Sequence, residues 1–163
     1  MRPPLLNENR LGQNGQNGFE IGGKMYVARD FYVYEEDFSS ADLVSGATVN
    51  GSIEIQADSD FVWQKAAYFA ADADAGATAQ TDSGRNLALS TVQLIDTGSG
   101  RNLLELAAPV PSIFGTGQLP FVLPIPRLFF ARSTIQVQLS NFGADAQSVR
   151  LSFIGYKAYP QGF

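Results

Sequence analysis

Between residues 134 and 140 apolar and polar side chains alternate one by one. Ile135, Val137 and Leu139 fall on one side, and Thr134, Gln136, Gln138 and Ser140 on the other. A period of two is the signature of a half-buried strand. Val149, Leu151 and Phe153 repeat it opposite Arg150 and Ser152. The polar stretch at 141–148 predicts an exposed loop that joins the two strands as an antiparallel pair.

The same reading carries upstream. Residues 24–34 place Met25, Val27, Phe31 and Val33 on one face and Tyr26, Tyr32 and Tyr34 on the other. Two large faces imply that both are covered. Residues 35–43 read as a connecting loop. Residues 47–56 alternate again, with Gly51 on the apolar side, where a missing side chain marks a bulge or a close approach. Residues 61–71 carry alanines that suit a helix and aromatics that suit a sheet. A strand is expected there, pairing Phe61 and Trp63 with Phe69 across a gap at Lys65. Residues 71–84 are small and polar, a long loop. Further strands are expected near 88–95, 103–107 and 127–130, the last closing the proline-broken run LPFVLPIPRLFF. Eight candidate strands and no long helical period predict an all-β chain, an antiparallel β-sandwich of jelly-roll type. The sandwich is assigned to 24–163. Residues 1–23, rich in Asn, Gln and Gly, are read as an extended arm whose Leu5, Leu6 and Leu11, with Arg2 and Arg10, are anchors for a neighbouring surface.

Composition narrows the function. The chain has 163 residues, enough for one domain with its own core. Charged residues make up 17% of it, below the roughly 25% usual for soluble domains, so the surface is suited to meeting other proteins. A net charge of −5 without a basic stripe disfavours nucleic acid. The absence of both Cys and His removes disulfides, thiolate nucleophiles, Cys-ligated zinc and the usual general base. The opening residues lack the apolar core of a secretory signal. The longest apolar stretches are shorter than the roughly 20 residues of a membrane span, so no membrane partner is expected.

Candidate chemistry is sparse. The pentapeptide SGRNL occurs twice, at 83–87 and 99–103, after Asp82 and Asp96. A short acceptor followed by Gly is what a tight turn needs. The functional alternative is a pair of exposed loops in which Arg85 and Arg101 grip an acidic partner. Asp58 with Asp60, and Asp72 with Asp74, could offer oxygen ligands to calcium, but the Gly and Glu that complete a calcium loop are missing, and solvated turns are the better reading. No His activates the hydroxyls, and Lys24, Lys65 and Lys157 stand in no nucleophile motif. Phosphate-binding glycine loops are absent. Trp63, Tyr68, Phe129, Phe130 and the tyrosine face of the first strand are expected in the core, apart from any tyrosine that proves exposed. No catalytic, cofactor or metal residue is therefore assigned.

Four phrases, GSIEIQADSDFVW (51–63), LIDTGSGRNL (94–103), LPIPRLFFARSTIQVQLSN (123–141) and RLSFIGYKAY (150–159), together resemble small structural proteins from the head-gene region of tailed bacteriophages. The resemblance implies a jelly-roll cement or decoration subunit, not an enzyme. Its partners would be the major capsid protein and copies of itself, as a homotrimer in preference to a dimer. Its place would be the virion, at the head surface, after synthesis in the host cytoplasm. It carries over no catalytic or ligand residue. The competing readings are a neck or tail component, a glycan-binding host-recognition jelly roll using the aromatics and Asp-rich loops, and a hydrolase built on paired aspartates.

Overall fold

The computed structural model describes residues 18–21, 23–72 and 87–160. Along them run β1 (Gly18–Ile21), β2 (Lys24–Phe38), β3 (Thr48–Glu54), β4 (Asp60–Asp72), β5 (Ser90–Asp96), β6 (Arg101–Asn102), β7 (Ala108–Pro109), one helical turn α1 (Val110–Ile113), β8 (Gly115–Thr116), β9 (Phe121–Phe129), β10 (Thr134–Asn141) and β11 (Gln147–Pro160). The described chain is an all-β sandwich. One sheet is ordered β1-β2-β11-β4, with β8 and β9 both on the far flank of β4. The other is ordered β3-β10-β5, with β6 and β7 on the far flank of β5. Every ladder is antiparallel except the short β4–β8 contact.

The pairings are nested. β2 lies beside β11, β3 beside β10, β4 beside β9 and β5 beside β6, and successive pairs alternate between the sheets. A long antiparallel ribbon wound about the core gives this order. Between the sheets Trp63 packs 4.9 Å from Phe153 and is flanked by Phe114 and Phe129. The inward-facing Ile135, Val137 and Leu139 of β10 and Val149, Leu151 and Phe153 of β11 are fully buried, as their alternation predicts. A second, smaller cluster of Tyr26, Val62 and Ala158 sits apart from the main core, with Phe19, Leu128 and Tyr156 against it.

Several boundaries differ from expectation, each for a physical reason. β1 falls within the stretch read as an arm: Gly18–Ile21 pair with Lys24–Val27, and Phe19 lies 5.8 Å from the Tyr26 ring. Among the described residues the first sheet therefore includes Gly18–Ile21, ahead of Lys24. β2 continues through the expected loop to Phe38, which is buried, while Glu35 and Asp37 stand opposite Ser152 and Arg150 on β11. Their charges mark the exposed face of a strand. Residues 103–107 are not a strand, because Leu103 and Leu104 turn toward the core and the Leu104 carbonyl accepts a hydrogen bond from the Gln93 side chain at 2.8 Å.

The gap at Lys65 is a β-bulge. Ile154 stands opposite Lys65 and Gly155 opposite Trp63, so Gln64 has no partner on β11. One extra residue reverses the alternation. Phe61 and Trp63 point inward before it, Ala66 and Ala70 after it, and Phe69 turns outward instead of joining them. Gly155 faces the bulge so closely that a Cβ there would lie 1.9 Å from the Val62 carbonyl oxygen. Gly51 is likewise a close approach. The Glu36 carboxylate crosses above it, 2.2 Å from where a Cβ would be, to accept a hydrogen bond from the Ser52 N–H at 3.2 Å.

Candidate functional site

The residues that could carry chemistry are used to hold the fold. Asp58 accepts a hydrogen bond from the Lys157 ammonium at 2.8 Å, and that ammonium also reaches Gln56 and lies 4.6 Å from the centre of the Tyr32 ring. The hydrogen bond from Lys157 holds the Asp58 carboxyl below the usual carboxylate range, and the same contact raises the Lys157 ammonium. Asp60 is buried and accepts the Ala131 N–H at 2.7 Å. Burial, with Asp60 beside it, pushes the Tyr26 hydroxyl up to about 12. The two aspartates thus serve different partners and do not converge. Among the described residues no group of three or more acidic side chains could hold a metal. The side chains of Asp72 and Asp74 lie outside the described residues.

The second SGRNL copy is a turn. Asp96 accepts hydrogen bonds from the Gly98 N–H at 3.0 Å and the Ser99 hydroxyl at 2.7 Å, and Gly100 has a φ of 65°. Asp96 also receives the Arg127 guanidinium at 3.1 Å. Burial works to raise its carboxyl, and the hydrogen bonds from Ser99 and Arg127 outweigh it, leaving the group below its ordinary range. Arg101 is exposed on β6, paired with Asp96 in register. The other sequence-derived candidates, Leu5, Leu6, Arg10, Leu11 and Arg85, lie outside the described residues, as do Arg2 and the first four residues of the first SGRNL copy. Among the described residues no helix is long and apolar enough to cross a membrane.

What the fold offers outward is surface. On the second sheet the outward positions form cross-strand rows: Asn50, Gln138 and Gln93 in one, Thr48, Ser140 and Thr91 in the next. Gln138 donates to the Asn50 side chain at 3.1 Å, and the Thr48 and Ser140 hydroxyls lie 2.8 Å apart. Across β3, β10 and β5 the one charged residue facing outward is Glu54, at the end of its strand. The rest of this face is Ser, Thr, Asn and Gln, with Ile95.

The first sheet has a different outer surface. Asp37 and Arg150 pair across one half at 3.1 Å. The other half carries Phe31, 74% exposed, opposite Tyr156. At its far edge β9 and the turn before it present Leu119, Val122 and Ile125, which are 80%, 60% and 79% exposed. Sequence reasoning confined this strand to 127–130 and missed the exposed edge. The signal was present, since a proline within an apolar run confines it to a sheet edge or a bulge. Of the aromatics expected in the core, Trp63, Tyr26, Tyr34 and Phe129 are buried, whereas Phe130 is half exposed just past the end of β9 and, with Phe31, Phe69 and Phe142, reaches the surface. Compared with protein-family models, with curated protein sequences and with solved structures, the chain matches none.

Proposed function

We propose that the chain is a non-enzymatic structural subunit that packs against other protein surfaces, a cement or decoration protein of a phage head. The observation that carries this reading is the outer face of the second sheet. Interface centres are depleted in charge, because a covered charge loses its hydration. A three-strand face of Ser, Thr, Asn and Gln can exchange its water for a partner's polar groups without that penalty. The nested strand order supports the reading further, because it is compatible with a jelly roll, an architecture shared by viral capsid and lectin domains. The resemblance of the four quoted phrases to head-region proteins selects the capsid branch. Burial of Trp63 and of Tyr26 and Tyr34, rings that also carry a polar group, weighs against the glycan-binding branch.

Quantitative mass spectrometry of purified particles tests this proposal. Copies in the hundreds per particle are the expected result for a shell subunit. About a dozen copies would move the protein to a symmetric neck or tail ring, and its absence from particles would overturn the proposal.

A further inference from the structure

We propose that the apolar edge at β9 is the docking surface for residues 1–17 of a neighbouring copy of this chain. The inference concerns self-association and is tested on purified protein alone, so it and the particle reading can fail separately.

The edge has an unusual shape. Its ladder with β4 pairs Arg127 with Trp63 and then Val122 with Lys65. Residues 123–126 therefore stand opposite Gln64 alone and loop away from the sheet. That loop is Leu-Pro-Ile-Pro, in which Leu123 packs against the core and Ile125 is 79% exposed between the two prolines. Each proline has a fixed φ and lacks an N–H, so the projection is preformed and loses little freedom when covered. With Leu119, Phe121 and Val122 near it in sequence, Ile125 gathers four exposed large apolar side chains within seven residues, whereas Phe31, Leu106 and Phe142 are exposed at separate places in the chain. Clustered apolar exposure of this kind marks contact sites.

The prolines also define the occupant. A partner cannot extend the sheet as a continuous strand past residues that lack N–H donors and bulge from the ladder. It must bind through side chains. Residues 1–17 have that chemistry: Leu5, Leu6 and Leu11 are set among Pro, Asn, Gln and Gly without strand alternation.

Placement puts the start of the described chain on the sheet edge that faces away from β9, the side on which a neighbouring copy would stand. Residues 1–17 lead into β1, which occupies the edge of the first sheet opposite β9. Four strand spacings, about 19 Å, separate the two edges. β1 runs antiparallel to β2, with Gly18 opposite Val27. A segment of that length, reaching at most about 56 Å when extended, spans the gap to a subunit standing alongside. The contact joins two different surfaces, so it passes from copy to copy and gives a ring where the rotation closes and a filament where it does not.

The chain has no cysteine, which permits a direct test. Leu11→Cys and Ile125→Cys proteins are mixed and treated with a bismaleimide. A crosslinked heterodimer is expected, and sedimentation velocity of Ile125→Lys and of Leu11→Ser should show self-association weakened about tenfold or more. Circular dichroism of both variants is compared with the parent. Should Ile125→Lys perturb it, Leu11→Ser, which leaves the described sandwich untouched, is decisive. The proposal is overturned if the mixture gives no heterodimer, if a double-cysteine protein crosslinks only within one chain, if Leu11→Ser associates like the parent, or if the parent remains a monomer throughout.

Discussion

The Lys157 ammonium, near the end of β11, donates to the Asp58 carboxylate in the β3–β4 turn at 2.8 Å and so ties the last strand to a turn ninety-nine residues earlier. The Lys157 side chain is 9% exposed and that of Asp58 52%, so the cation is the partner that depends on the pair. A buried ammonium without its counter-ion is strongly disfavoured.

The pair predicts a stability plateau. Asp58 has a lowered folded-state pKa, so its contribution is present at neutral pH and fades as pH falls through that folded value. Lys157 has a raised pKa, so its contribution holds below the ordinary lysine range and is lost as pH rises through its folded value. Asp58→Asn should therefore melt below the parent by a constant margin from about pH 5 to about pH 9, and the margin should shrink beyond both limits. Melting curves across pH check this. A margin that changes steadily through neutrality would show that another group is titrating.

How much of this was legible follows from where the signal resides. Strict alternation at 134–140 reports one buried face, and β10 lies where it predicts. The Lys65 gap was visible too, but only the facing Gly155 on β11 identifies it as a bulge, and that pairing is ninety residues away. Charges at 35–37 suggested a loop because composition does not distinguish a loop from the wet side of a strand. The Asp96 turn was readable from its spacing, because its hydrogen bonds are local. The partners of Asp58 and Asp60 were not, since Lys157 on β11 and Ala131 in the β9–β10 turn are distant in sequence. Of the interaction candidates, only Arg101 lies among the described residues, and the exposed β9 edge emerged once its pairing with β4 was known.

Gly155 should tolerate no side chain. A Cβ there would meet backbone at the Val62 carbonyl, which cannot move without opening the bulge. Gly155→Ala is expected to destabilise by about 3 kcal/mol or more, at the upper end for overpacking. Urea denaturation measures it. By contrast, Gly51→Ala meets the flexible end of Glu36 and should lose little beyond the Ser52 hydrogen bond, about 1 kcal/mol. Equal effects at the two sites would contradict this account of the bulge.

Trp63, the one tryptophan, reports on the core directly. Its ring is buried and its indole N–H donates to the Lys65 carbonyl at 2.7 Å, across the bulge. Emission should be blue-shifted in the native protein and move to the red in the same transition that removes the β-sheet circular dichroism signal. Trp63→Ala should cost about 3–5 kcal/mol through the cavity it leaves. A red-shifted native emission would place the ring in water.

Asn141 fastens the loops at the opposite end of the sandwich. Its side-chain amide donates to the Leu43 and Asp145 carbonyls at 3.0 and 2.9 Å, and its oxygen accepts the Gly143 N–H at 2.8 Å. All three partners are backbone groups, and Asn141 is buried, so a near-isosteric Leu would leave them unsatisfied. Asn141→Leu is expected to destabilise by about 2–4 kcal/mol and to speed amide exchange at Gly143. Unchanged exchange at that amide would show that the loop is held by other contacts.

Pro124 and Pro126 should act as guards on the β9 edge. An exposed edge strand that is apolar and uncharged is a template for pairing with other chains, and proline blocks it by removing the donor and bending the strand from the ladder. Here the run from Leu119 to Ile125 carries no charge, so the prolines are the device that remains. Replacing both with Val restores two N–H groups and creates the uninterrupted sequence Phe-Val-Leu-Val-Ile-Val, a segment of high β-propensity without charge. The double variant should fold to the same sandwich, because both prolines are exposed and lie within the loop opposite Gln64. It should then aggregate with a concentration dependence that the parent lacks. Light scattering and thioflavin fluorescence at matched concentrations follow this, and adding Val122→Lys to the double variant should restore solubility. A double variant that stays as soluble as the parent would mean that the bulge alone, without its prolines, protects the edge.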